Sequence, residues 1–354
     1  MELNTTASAR FPPGLFRVPL TVAASFTALT VLTAVAFGLP LRDPDGFLGP
    51  SYVRLPALLV AMILADIAPR TLLGRPGLRN VPRVALAEFR SSWPVPRILA
   101  TFLGLVTFYL AYVSYRNMKS FLPFVRERVT DPLLQASDRW LTGGHHPGDA
   151  LQQLLGTGIS AHVLSAVYVS YLMFVPASVA AALVWSRQVS HGAWYVSALS
   201  FNWILGAASY YVLPSLGPVF VERKHFTDLP DTAVTELADS LYRNRVRVLD
   251  DPHATESVHG IAAFASLHVS VVVTAALVAH LIRVPLVLRV LLWAYVLLTA
   301  LATIYFGWHY LVDVMAGAAL GALATWLALR ATRPGLTSGI SSPQEMKVPA
   351  GSTL

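Results

Sequence analysis

The chain has no cysteine among its 354 residues, and its lysines number three: Lys119, Lys224 and Lys347. Without a thiol there can be no disulfide, no thiolate nucleophile and no cysteine-ligated metal. Charge is scarce as well. Only 13% of residues are Asp, Glu, Lys or Arg, about half the fraction carried by a soluble domain. The net charge of +7 is almost entirely arginine and is not gathered into a basic domain, which argues against nucleic acid as a partner. What the chain has in abundance is apolar: 55% of residues are hydrophobic and the mean hydropathy is +0.57. The composition is that of a polytopic membrane protein.

Apolar runs long enough to cross a bilayer lie near residues 20–39, 52–68, 98–115, 159–185, 193–213, 261–282, 285–305 and 308–329. They predict an all-α membrane helix bundle with about eight transmembrane helices. Ala34-Val35-Ala36 resembles a signal-peptidase site, but the apolar stretch around it exceeds a signal-peptide core, so an uncleaved anchor is expected. Residues 1–94 read as an N-terminal extension with two of the spans and an Arg-rich loop; residues 70–97 hold six arginines against one acid, Glu88. Residues 95–330 read as one membrane domain. Within it, 214–260 carries eight acidic and five basic residues and is expected to cap the membrane-embedded part. Residues 331–354, rich in Ser, Gly, Pro and Thr, read as a disordered tail. With eight spans, both termini, the 70–97 loop and the two Arg-containing turns at 186–192 and 283–289 share one side. The positive-inside rule makes that side cytoplasmic, in a multi-pass plasma-membrane protein.

Two stretches carry candidate chemistry. In Trp308-His309-Tyr310-Leu311-Val312-Asp313 a histidine and an aspartate stand four residues apart, on one face if the stretch is helical. A carboxylate that holds one imidazole nitrogen fixes the tautomer and makes the other a better base or nucleophile. The second stretch, Ala265-Ser266-Leu267-His268, opens the sixth span on the same membrane face. Both histidines sit near helix N-termini, where free amides favour an anion. Two histidines in such a place suit phosphoryl transfer, which needs a nucleophile, a proton donor for the leaving oxygen and positive charge about the phosphate. A polar pair satisfied near the membrane surface is the bland alternative. A proton-coupled transporter with a His–Asp relay is another, and a metal-dependent hydrolase using His259, His268, His309 and Asp313 is a third.

Ser266-Leu267-His268 and His309-x-x-x-Asp313 resemble the second and third signature motifs of the type 2 phosphatidic acid phosphatase superfamily. Ser266-Leu267-His268-Val269-Ser270, Pro214-Ser215-Leu216-Gly217-Pro218 and His309-Tyr310-Leu311-Val312-Asp313 look closer to its inositol phosphorylceramide synthase branch. The resemblance implies a six-helix core and a phosphohistidine intermediate with no cofactor and no metal. It implies His309 as nucleophile, Asp313 as its orienter and His268 as general acid, and the arginine-based topology puts them at the extracytoplasmic face, where a membrane lipid phosphate or phosphodiester is the expected substrate. Water as acceptor makes a phosphatase, and an alcohol makes a head-group transferase.

The sequence departs from the superfamily pattern in two places. The first motif, a Lys six residues before Arg-Pro, is replaced by Arg116-x-x-Lys119-x-x-x-Pro123, and the Ser-Arg that opens the third motif by Ala302-Thr303. Arg116 and Lys119 are therefore the expected phosphate ligands, with Arg223, Lys224, Arg243, Arg245 and Arg247 of the cap as second choice. Ser266 either donates to phosphate or caps its helix. His145-His146 reads as a surface turn, Asn202 as an interhelical hydrogen bond, and Gly317 with Gly321 as a close-packing stripe.

Overall fold

The computed structural model describes residues 14–43, 51–75, 77–186 and 188–332. The readings placed on residues 1–13, on Arg187 and on the tail from 333 onward lie outside them. Among the described residues the only regular secondary structure is helix. In order the helices are α1 (Arg17–Phe37), α2 (Ser51–Leu73), α3 (Val81–Ser92), α4 (Val95–Val125), α5 (Asp131–Leu141), α6 (Pro147–Leu155) and α7 (Ile159–Val184). There follow α8 (Val189–Val212), the single turn α9 (Pro218–Val221), α10 (Ala233–Asp250), α11 (Leu267–Leu281), α12 (Leu286–Tyr305) and α13 (Leu311–Thr332). Among the described residues six are long and apolar enough to cross a membrane: α1, α2 from Leu55, α4, α7, α12 and α13. The protein is a polytopic membrane helix bundle.

The two expected spans that miss this criterion, α8 and α11, are the most deeply packed. α8 lies against α4 and α13 and buries most of its length, including Ser197, Ser200 and Asn202. Its polar side chains lower its hydropathy, and several of them are paired inside the bundle. Asn202 Nδ2 donates to Thr274 Oγ1 of α11 at 2.9 Å, and Thr274 Oγ1 donates to the Gly321 carbonyl of α13 at 3.1 Å. Trp194 Nε1 of α8 donates to the Thr325 carbonyl of α13 at 2.9 Å. Each bond satisfies a polar group that has no water to turn to.

Several boundaries differ from those expected. The sixth span is helical only over 15 residues. Residues 261–266 run non-helically, their amides bound by serines of the preceding segment: Phe264 N to Ser215 Oγ and Ala265 N to Ser209 Oγ, both 3.0 Å. Non-helical backbone is tolerated at this depth because protein surrounds it. The third span is a 31-residue helix, about 46 Å long, which outruns a hydrocarbon core of about 30 Å. Arg116 and Lys119 thus ride on its last turns and not on a loop. The 70–97 stretch is not an open connector but contains α3. Asp66 of α2 meets Arg70 at 2.7 Å, as the one-turn spacing predicts, and also accepts from Trp93 Nε1 at 3.0 Å.

α13 packs on α11 backbone to backbone. A Cβ at Gly317 would stand 2.3 Å from the Ser266 carbonyl oxygen, and one at Gly321 would stand 2.4 Å from that of Ser270. No L-residue fits without parting the helices. Gly317→Ala and Gly321→Ala should each lower stability by about 1–3 kcal/mol or more, read as a fall in the thermal unfolding midpoint of the detergent-solubilised protein. Gly77→Ala is the control, since nothing lies within 4 Å of its Cβ position. Unchanged midpoints for both helix variants would contradict the packing.

Candidate active site

The site is built around the turn that joins α12 to α13. Gly307 takes a left-handed φ of +67°, and the Thr303 carbonyl accepts from both Trp308 N (2.9 Å) and His309 N (3.3 Å). α13 then starts at Leu311, so His309 precedes the helix and is not one turn below Asp313 within it. Asp313, in the first turn, reaches back instead. Its Oδ2 accepts from Tyr310 N at 2.9 Å and lies 3.5 Å from His309 Nδ1. That last separation is longer than a hydrogen bond. His309 Nδ1 and Asp313 Oδ1 are both buried without a hydrogen-bond partner, so the pair is juxtaposed but not closed.

His309 is 5% exposed. Burial, with the positive charge of Lys119 adding to it, pulls its imidazolium down to about 3. The neutral ring is therefore favoured at neutral pH, a backbone hydrogen bond to Ala263 opposing the shift. The His268 ring faces it edge-on, with centroids 5.7 Å apart. His268 in turn lies between two tyrosines of α7, Tyr168 at 4.6 Å and Tyr171 at 4.4 Å between centroids. Tyr168 also stacks on Trp308 at 5.2 Å. The three residues singled out from the sequence thus meet at one end of the bundle. The tyrosines that clasp His268 were not anticipated, although their i, i+3 spacing puts them on one helix face.

α5 supplies two carboxylates that the sequence gave no reason to single out. Asp138 accepts from Leu311 N at 2.8 Å and Val312 N at 3.2 Å. Asp131 accepts from Leu216 N at 3.0 Å, Gly217 N at 2.9 Å and the Tyr310 hydroxyl at 3.1 Å. One ties down the start of α13 and the other joins the 214–218 segment to the His309 turn. The expectation that the α13 N-terminus is open to an anion is therefore corrected: its leading amides are already held by a carboxylate.

Cations approach from two sides. Lys119 Nζ lies 3.5 Å from the Tyr115 hydroxyl and 5.1 Å from the Tyr210 ring centroid, and its charge reaches His309. Arg116 turns to Tyr112, donating to its hydroxyl at 3.3 Å. From the cap, Arg245 Nη1 meets His259 Nε2 at 2.5 Å, while His259 Nδ1 lies 3.2 Å from the Lys119 carbonyl. Burial and Arg245 pull His259 down to about 3, so the neutral ring donates from Nδ1 and accepts at Nε2. The cap arginine is thereby brought beside the Lys119 turn. Arg223 instead pairs with Asp239 at 2.7 Å, and Arg243 and Arg247 are exposed. Thr303, at the motif position that normally holds arginine, is fully buried and donates to its own helix at the Ala300 carbonyl, 2.8 Å away.

Ser266 is fully buried and caps α11, its Oγ accepting from Val269 N at 3.4 Å. Its own N–H donates to the Asp313 carbonyl at 3.0 Å, which ties the two motif segments together. The donor set of the metal-hydrolase reading is not assembled, since His259 is committed to Lys119 and Arg245. Among the described residues the one group spaced for a metal is His146, Glu222 and His225. His146 is thus no surface turn; its side chain is 11% exposed and stacks on His225.

A family model, the PAP2 superfamily, matches residues 133–327. Comparison with curated proteins and with solved structures finds no match. The matched region is more than half of the 354 residues and contains His268, His309 and Asp313 with the geometry above. The chain belongs to the PAP2 superfamily of type 2 phosphatidic acid phosphatases, and its function is accordingly of the membrane phosphatase or phosphotransferase type. The match starts beyond Arg116 and Lys119, in the part of the chain where the first motif departs.

Asp138 offers a pH test. Burial first, with Asp313 and Glu222 adding and the two α13 amides opposing, pushes its carboxyl up to about 6. Turnover should fall on the acid side with an apparent pKa near 6 as the cap loses its charge, and Asp138→Asn should abolish that limb. Stability should move the other way. The folded chain binds this proton more tightly than the unfolded one, so the contribution of Asp138 is greatest below 3.8 and is lost as pH rises through about 6. An acid limb that persists in Asp138→Asn would assign it to another group.

Proposed function

We propose that this protein is a lipid-phosphate phosphatase or phospholipid head-group phosphotransferase that works through a phosphohistidine on His309 at the extracytoplasmic face of the plasma membrane. The observation that carries the proposal is the buried pair His309–Asp313 with His268 facing it at 5.7 Å. His309 Nε2 attacks phosphorus in line, forming the N–P bond as the bond to the leaving oxygen breaks. His268 gives that oxygen its proton. Positive charge then develops on the imidazole, and the 3.5 Å gap from Nδ1 to Asp313 closes to a charge-assisted hydrogen bond. In the second half the acceptor hydroxyl loses its proton to His268 and attacks phosphorus, releasing His309.

Because Asp138 holds the amides of α13, the phosphate oxygens must be met by side chains. Lys119 is the first of these, with Arg116 beside it and Arg245 brought in from the cap. The lipid tails stay in the bilayer while the head group enters at the helix ends. The synthase-like segments Pro214-Ser215-Leu216-Gly217-Pro218 and Ser266-Leu267-His268 favour an alcohol acceptor, whereas hydrolysis is the commoner outcome in the wider superfamily. Superfamily membership supports phosphoryl chemistry over a proton relay for the same His–Asp pair.

The test is a panel of ³²P-labelled lipid phosphates and phosphoinositides given to wild type and His309→Ala in lipid micelles. Free phosphate that vanishes in the mutant establishes a phosphatase; label moving into another lipid establishes the transferase and identifies its acceptor. No movement of label from any lipid would overturn the proposal in favour of the transporter. Arg116→Ala with Lys119→Ala should raise the apparent KM for the lipid at least tenfold. If Arg245→Ala does so and the double variant does not, the phosphate is held by the cap.

A further inference from the structure

Away from the His309–Asp313 pair, two segments remote in sequence bring His146 together with Glu222 and His225, with one ligand atom from each within 4.8 Å of the others. The two imidazoles stack at 4.1 Å between centroids. They are also aligned end for end. Both Nδ1 atoms face Asp149, His225 at 2.7 Å and His146 at 3.4 Å, while both Nε2 atoms face Glu222, at 3.9 and 3.6 Å. For His225 the Asp149 carboxylate behind Nδ1 is the second-shell arrangement that presents Nε2 to a metal, whereas His146 Nδ1 also accepts from Asp149 N at 3.3 Å as the cap of α6, a bond that ring gives up when its Nε2 turns to a metal.

Glu222 gives the independent sign of a missing partner. Its side chain is 7% exposed. Oε1 accepts from Gln135 and lies 3.5 Å from Arg139, but Oε2, on the side of His146, is buried with no hydrogen bond. A buried carboxylate oxygen without a partner is costly. A cation between Oε2 and the two Nε2 atoms would satisfy it. Donors around tetrahedral Zn²⁺ stand about 3.3 Å apart, so the observed separations need only a small contraction and a fanning of the stacked rings.

We infer that His146, Glu222 and His225 form a site for a divalent transition metal of the zinc type, with the Asp149 carboxylate orienting the His225 imidazole. Two nitrogens and one carboxylate oxygen, with no thiolate, suit Zn²⁺ over the hard cations Mg²⁺ and Ca²⁺. Water takes the fourth position. Its place in the fold gives the metal a structural role, because it would clamp the start of α6 to the turn after α9. Phe226, next to His225, packs edge-on against His146 at 5.6 Å, and its ring fills the space above Gly307, where a Cβ would come within 2.2 Å. Gly307 is two residues from His309, so the clamp bears on the turn that carries it.

The inference is independent of the lipid-phosphate reading and is tested without an activity assay. Full-length protein in lipid nanodiscs, stripped with a chelator, is titrated with Zn²⁺ and with Co²⁺, following metal content by mass spectrometry and Co²⁺ coordination by visible absorption. One equivalent per chain, a tetrahedral Co²⁺ spectrum and a raised unfolding temperature are expected. Glu222→Gln and His225→Ala should abolish uptake, and Asp149→Asn should weaken it about 10- to 100-fold. Wild type that takes up no metal overturns the proposal whatever the variants do, as does uptake that is undiminished in Glu222→Gln.

Discussion

The arrangement of the active end depends on one electrostatic contact, that between the Asp138 carboxylate and the first amides of α13. A helix N-terminus buried at the edge of a membrane presents amides that must find acceptors. Here the acceptor comes from an amphipathic helix, and Asp131, two turns earlier on the same face, does the same for the 216–217 amides and Tyr310. α5 is therefore a clasp. It holds the final helix, the segment after α8 and the His309 turn in one register, and the His309–Asp313 pair inherits its geometry from that clasp.

The clasp changes how an anion can be bound. Superposed helix dipoles would offer a phosphate backbone amides, but those of α13 are spent on a carboxylate, whose negative charge also lies beside the site. The cations nearest to it are Lys119 and its neighbours, and under the proposed function these supply the compensating charge. Thr303, at the place of the usual motif arginine, is buried and bonded to its own helix and brings no charge to the site. Arg245, held against His259, approaches from the opposite direction.

Much of this was legible in the sequence, for reasons that can be named. Apolar runs of membrane length locate helices because a bilayer tolerates little else, and His268, His309 and Asp313 stood out as ionisable groups at the ends of such runs. Asp66 and Arg70 were readable as a pair from their one-turn spacing. What hydropathy could not give was the interior of the bundle: α8 and α11 are polar or short because their neighbours, and not lipid, surround them. Nor could it give the start of α13, which is set by a hydrogen bond from a residue some 170 positions earlier. Asp131, Asp138, Tyr168, Tyr171 and the His146–Glu222–His225 group share this property. Each acquires its meaning from a partner distant in sequence, and spacing along the chain carries no trace of it.

The glycine seam between α11 and α13 bears on how the site can move. Gly317 and Gly321 let two backbones touch at Ser266 and Ser270, and main-chain contacts have no side-chain rotamers to absorb sliding. His268 and the His309 turn are consequently mounted on what is mechanically a single beam, and their separation is a fixed dimension of the protein. Any opening of the site has to come from parts that are not in the beam: the α7 tyrosines that clasp His268 and the 214–260 segment that carries Arg245. The His309–Asp313 pair is the anvil of this arrangement, and opening and closing belong to the pieces around it.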